Sequence, residues 1–87
     1  MLEDLRKEID ECDNEIIRLL KKRMEISRDI GIIKKENNLP IYDEKREQAL
    51  IKKLEDMSNN VLSKEAIDNI YKEILFASKE LQNKLFY

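Results

Sequence analysis

From Leu2 to Ile33 an apolar side chain recurs at alternating third and fourth positions: Leu2, Leu5, Ile9, Cys12, Ile16, Leu19, Ile26, Ile30 and Ile33. A 3-4 repeat marks one face of a long amphipathic helix, because about 3.6 residues complete a turn. The repeat breaks once, at Arg23, where the spacing asks for another apolar residue. An unpaired charge on a buried seam costs several kcal/mol. Arg23 therefore either has a protein partner or waits for an anionic ligand.

The length of this helix constrains the assembly. Gly31 weakens a helix by about 1 kcal/mol relative to alanine but does not end it. The first stop is Asn37-Asn38-Leu39-Pro40. A helix from about Leu2 to about Asn37 would be roughly 50 Å long. A compact domain of 87 residues has a radius of gyration of about 12 Å and a diameter near ~30 Å. The helix outgrows its own domain, and its apolar face needs cover along the overhang. A second copy is the economical cover, which predicts an intertwined homodimer.

Two shorter helices follow. Asp43 is a plausible N-cap for the second, with Leu50, Leu54 and Met57 as its apolar face and Ser58-Asn59-Asn60 as its end. Ser63 caps the third, with Leu62 and Ile67 placed as a hydrophobic staple. Its stripe reads Ile67, Ile70, Tyr71, Ile74, Leu75, then Ser78, Leu81, Gln82 and Leu85. One glycine and one proline leave almost no turn chemistry for strands. Charged and hydrophobic residues each make up 41% of the chain, which suits packed helices with solvated outer faces. The expected fold is all-α, three helices in one domain over residues 1–87. A net charge of -2 with no basic block argues against a nucleic-acid partner. No apolar run approaches the ~20 residues of a membrane span and no signal peptide is visible, so a cytoplasmic protein is expected. The single cysteine, Cys12, excludes an internal disulfide and reads as a small buried hydrophobe on the seam.

Polar residues interrupt the apolar stripes on all three helices. Lys34 follows Arg23 by eleven residues, which returns it to within ~20° of the same face and about 16 Å along the axis. The two long side chains are able to bracket a small anion. Arg46 precedes Leu50 by one turn, with Glu47 beside it on the inner edge. Ser78 and Gln82 continue the Ile67–Tyr71–Ile74 line. Arg6 points about 100° away from Arg23 and more easily joins the site of another subunit. Each has a plainer alternative: a solvated Arg6, a snorkelling Lys34, a surface Arg46 and Glu47, a satisfied Ser78–Gln82 pair in the core. Together they describe a pocket for a compact polyanion, since guanidinium forks suit carboxylates. The sequence has no histidine, no cluster with metal-ligand spacing, no glycine-rich phosphate loop and no Ser-His pair. No cofactor is expected. Catalysis in such a pocket would rest on positioning and fixed charge, which suits the unimolecular rearrangement of a bound dianion.

With these residues in place, the chain resembles the small all-helical chorismate mutases. The opening Leu5-Arg6-Lys7-Glu8-Ile9-Asp10 with Asp13 is similar to the family's "LRxxIdxxD". Leu19-Leu20-Lys21-Lys22-Arg23 is similar to "LLxxR", Ile30-Gly31-Ile32-Ile33-Lys34 to "vgxxK", and Pro40-Ile41-Tyr42-Asp43 with Arg46-Glu47 to "PvxdxxRE". Ser78 and Gln82 fall at the family's closing pair of positions. The resemblance covers essentially the whole chain. It implies a Claisen rearrangement of chorismate to prephenate, at the branch toward phenylalanine and tyrosine. It also implies roles for the residues. Arg6 of the partner subunit and Arg23 would hold carboxylates. Arg46 and Asp43 would orient the ring carboxylate and hydroxyl region, and Glu47 would bind the ring hydroxyl. Lys34 and Gln82 would hydrogen-bond the ether oxygen, and Ser78 would line the pocket. Tyr42 stands where some relatives carry a basic residue. Two rivals are an isochorismate-pyruvate lyase of the same fold and a non-catalytic helical dimerisation module.

Overall fold

A computed structural model describes residues 1–85. It contains three helices: α1 (Leu2–Glu36), α2 (Glu44–Ser58) and α3 (Lys64–Lys84). The helix ends follow local chemistry. Glu3 and Asp4 in the first turn of α1, and Lys34 and Lys35 in its last, complement the helix dipole. Asp43 caps α2, its Oδ1 accepting the Arg46 N–H at 3.1 Å. Ser63 caps α3, its Oγ accepting the Ala66 N–H at 3.0 Å. All three caps or stops lie where the sequence places them.

Left-handed backbone falls on asparagine at Asn38, Asn59 and Asn60, with φ of 55°, 49° and 65°. Asparagine is among the few residues whose short polar side chain tolerates that region. The glycine does other work. A Cβ added at Gly31, inside α1, would lie 2.9 Å from Cγ and 3.3 Å from Cβ of Gln82. Gly31 is what lets α1 and α3 approach this closely.

The chain is elongated, 54 × 23 × 15 Å, with a radius of gyration of 15.8 Å. A compact chain of this size would have about 12 Å. Helix α3 packs against both α1 and α2, whereas α1 and α2 do not pack against each other. With 21 residues, α3 is roughly 30 Å long, so it reaches only part of the 35-residue α1. Every residue from 1 to 19 is exposed.

Within the single chain, the sheltered face of α1 is not its apolar stripe. Within α1 the positions shielded by the rest of the chain are Leu20, Arg23, Met24, Ser27, Gly31 and Lys34. The apolar stripe runs alongside them and stays open: Leu2, Ile9, Ile16 and Ile33 are 62%, 61%, 53% and 55% exposed. Cys12, on the same stripe, is exposed in the single chain. Among the described residues the buried hydrophobic side chain is Ile67, while Ser27, Ser78 and Gln82 are buried polar ones. No described helix is long and apolar enough to cross a membrane.

Candidate active site

Because α1 and α2 stand apart on a shared α3, a cleft of about 380 Å³ opens between them. Ligand pockets typically fall in the range of ~300–1,000 Å³. From α1 the cleft receives Arg23, Ser27 and Lys34; from the α1–α2 connection, Asp43; from α2, Arg46 and Glu47; from α3, Ser78, Lys79 and Gln82. Ile26, Ile30, Ile41, Leu50 and Leu75 supply its apolar walls.

The polar side chains are held by one another. Arg23 Nη1 donates to Ser78 Oγ at 2.9 Å, and Ser78 Oγ lies 3.6 Å from Met24 Sδ as donor. Arg23 thus has a protein partner and also faces the cleft. Lys34 Nζ donates to the Ile41 carbonyl at 2.8 Å and so ties the end of α1 to the connection that leads into α2. The Asp43 cap fixes the first turn of α2, which presents Arg46 and Glu47. Gln82 Nε2 donates to the Ser27 carbonyl at 2.8 Å and lies 3.2 Å from Ser27 Oγ, deep between α1 and α3. No buried side-chain nitrogen or oxygen among the described residues lacks a partner, which is what a buried polar cluster requires.

Seven of the eight sequence-derived candidates meet here: Arg23, Lys34, Asp43, Arg46, Glu47, Ser78 and Gln82. Arg6 does not. It sits seventeen residues, or about 25 Å, up the α1 axis from Arg23 and is exposed. Two residues of the cleft escaped the sequence reading. Ser27 lies one turn after Arg23 on the same face, a position that the Arg23–Lys34 spacing already marked as inward. Lys79 follows Ser78 directly and resembles any solvated lysine on the edge of a stripe; only the fold brings it to Glu47, thirty-two residues earlier. There its Nζ lies 3.1 and 3.3 Å from the two carboxylate oxygens.

The cleft collects four cationic side chains, Arg23, Lys34, Arg46 and Lys79, against two carboxylates, Asp43 and Glu47. That leaves an excess of two positive charges, matched to a dianion. No group of three or more potential metal ligands occurs among the described residues. The chemistry within reach is recognition of carboxylates and donation of hydrogen bonds to developing negative charge.

Comparison with known proteins gives the family. Residues 5–83 match the family described as chorismate mutase type II. The bifunctional chorismate mutase/prephenate dehydratase of Aquifex aeolicus is 40% identical over 88 residues, covering 97% of this chain; the chain spans 24% of that relative's length. The Form II structure of the Thermus thermophilus chorismate mutase superposes with a TM-score of 0.90 at 36% identity, over 94% of this chain and 93% of that one. The Helicobacter pylori chorismate mutase, solved in complex with prephenate, gives a TM-score of 0.86 at 42% identity over 95% of this chain and 90% of that one. An all-helical fold with a polar cleft, matched along nearly its whole length, places this chain in the chorismate mutase type II family.

Proposed function

We propose that the chain converts chorismate to prephenate, on the branch toward phenylalanine and tyrosine in the cytoplasm, as an intertwined homodimer in which Arg6 of each copy completes the cleft of the other. The observation that carries the reading is the convergence of seven polar residues, six from the three helices and Asp43 from the α1–α2 connection, on one cleft with two positive charges in excess. The complex of the Helicobacter pylori relative with prephenate supports the same substrate class.

The reaction breaks a C–O bond and forms a C–C bond within one molecule. It needs no nucleophile and no proton transfer. Arg23 and Arg46, joined by Arg6 of the second copy, hold the two carboxylates and fold the flexible side chain over the ring. Fixing that reactive conformer removes much of the entropic part of the barrier. Glu47 accepts the ring hydroxyl, with Asp43 beside it. As the C–O bond lengthens, negative charge collects on the ether oxygen. Lys34 and Gln82 donate to it and stabilise the transition state more than the bound substrate. Lys34 keeps two of its three N–H groups beyond the bond to Ile41. Gln82 holds the Ser27 carbonyl with one N–H at 2.8 Å; the longer 3.2 Å contact to the Ser27 hydroxyl is the one a substrate oxygen replaces.

The test is direct. Incubated with chorismate, the protein should deplete the substrate's ultraviolet absorbance and yield prephenate, identified by proton NMR. Inert chorismate together with release of pyruvate from isochorismate would replace this reading with the lyase of the same fold. Inertness toward both would leave a dimerisation module.

A further inference from the structure

Lys79 is the charged cleft residue that the family resemblance does not assign, and its surroundings are unusual for a lysine. Its ammonium lies 3.1 and 3.3 Å from the two oxygens of the Glu47 carboxylate, so it faces the fork of that group. It also sits 4.6 Å from the centroid of the Tyr42 ring, within cation–π range. The side chains of Lys79 and Glu47 are 33% and 20% exposed, and both line the cleft. Three segments hold this one charge: its own α3, the first turn of α2, and the α1–α2 connection just before the Asp43 cap.

We propose that Lys79 is a positioning residue for the substrate, acting through Glu47. This deepens the chorismate mutase reading and rests on it. A carboxylate in a cleft built for a dianion presents a problem of charge. Glu47 is there to accept a ring hydroxyl, yet its own charge repels both carboxylates of the substrate. Lys79 offsets that charge without occupying the space of the ligand. By facing both carboxylate oxygens it also fixes the plane of the Glu47 group, so the hydroxyl meets an oriented acceptor. Tyr42 backs the ammonium from the side of the connection and limits its freedom to leave.

The repulsion that Lys79 removes is felt by substrate and transition state alike, since both carry the two carboxylates. Its loss should therefore appear in KM rather than in kcat. Lys79→Met keeps the stem and removes the charge. It should raise KM for chorismate about tenfold or more while kcat falls by less than about threefold, and Lys79→Arg should restore KM to within about threefold of the parent. In a Glu47→Gln background the charge to be offset is gone, so adding Lys79→Met should change KM by less than about twofold. Circular dichroism and thermal melts of each variant check that the helices remain. A folded Lys79→Met protein with the parent's KM would overturn the proposal. So would an undiminished effect of Lys79→Met in the Glu47→Gln background, since Lys79 would then act independently of Glu47. If the parent itself leaves chorismate unchanged, the functional reading fails and this inference falls with it. Turnover by the parent with either overturning result removes the inference alone.

Discussion

The two halves of α1 follow opposite rules. In the C-terminal half, an arginine, a serine, a glycine and a lysine are sheltered along with Leu20 and Met24, against a serine and a glutamine of α3. In the N-terminal half, leucines and isoleucines stand in the open, with Leu5 at 56% and Ile17 at 54% exposure. Buried polar groups and exposed apolar patches are the two informative departures from ordinary burial. They teach different things. The polar half is satisfied within the chain: its buried nitrogen and oxygen atoms have partners, and its side chains line a cleft. The exposed apolar half is unfinished within one chain, because α3 is too short to reach it.

The largest effect should come from placing a charge on the unfinished half. Ile9→Asp places a carboxylate about 21 Å along α1 from Arg23. If the single chain were the working unit, a substitution at a residue 61% exposed would be nearly neutral, within about 0.5 kcal/mol. With a second copy covering the stripe, sedimentation should show dissociation or unfolding, and chorismate turnover should drop to background.

Next in size is Lys34→Ala, which tests the polar half. A donor aimed at the ether oxygen acts mainly as charge develops there, so kcat should fall by on the order of 10²–10³ with a smaller change in KM. Steady-state kinetics would contradict the assignment if KM alone changed. Gly31→Ala probes how tightly the two helices close on each other. Overpacking against the anchored Gln82 costs about 1–3 kcal/mol, while helix propensity returns about 1 kcal/mol. Thermal stability should therefore fall only modestly. Turnover should fall about tenfold, because the displaced atoms belong to Gln82, the proposed donor to the ether oxygen.

Much of the fold was legible in the sequence, and the reasons are local. Asp43 and Ser63 cap helices because their side chains reach N–H groups three residues on, and Asn37 through Pro40 stops α1 by backbone preference. The polar positions of the cleft were legible because helical spacing returns residues to one face, as with Arg23 and Lys34. Which face of α1 meets α3 was not legible. The apolar stripe is the stronger signal, but it lies beside the intrachain contact, and the small residues Ser27 and Gly31 that permit close packing carry no hydrophobic mark. Lys79 stayed hidden for a related reason, since its role depends on a carboxylate on another helix.

The smallest effect lies away from the cleft, on the α2–α3 contact. Asp68 beside Glu55 raises the Glu55 carboxyl above its ordinary value, chiefly through their side-chain hydrogen bond, with desolvation and like-charge repulsion adding to it. A group that binds its proton more tightly when folded stabilises the fold at acid pH, and that stabilisation fades as pH rises through the raised value. Near neutrality the two carboxylates repel. Glu55→Gln should raise the melting temperature slightly at pH 7 and lose this advantage toward pH 4. The same shift at both pH values would contradict the coupling.

In the proposed dimer, Arg6 from the open half of one copy completes the cleft that the polar half of the other copy lines. Mixing Arg6→Ala chains with Arg23→Ala chains, unfolded together and refolded, tests it most directly. Each variant alone should be nearly inactive. In a mixed dimer one cleft carries both lesions and the other carries neither. Random pairing should then restore about a quarter of the parent's sites, and chorismate turnover should return to about that level. If Arg6 serves the cleft of its own chain, every cleft in the mixture keeps one lesion, and turnover should stay at the level of the separate variants.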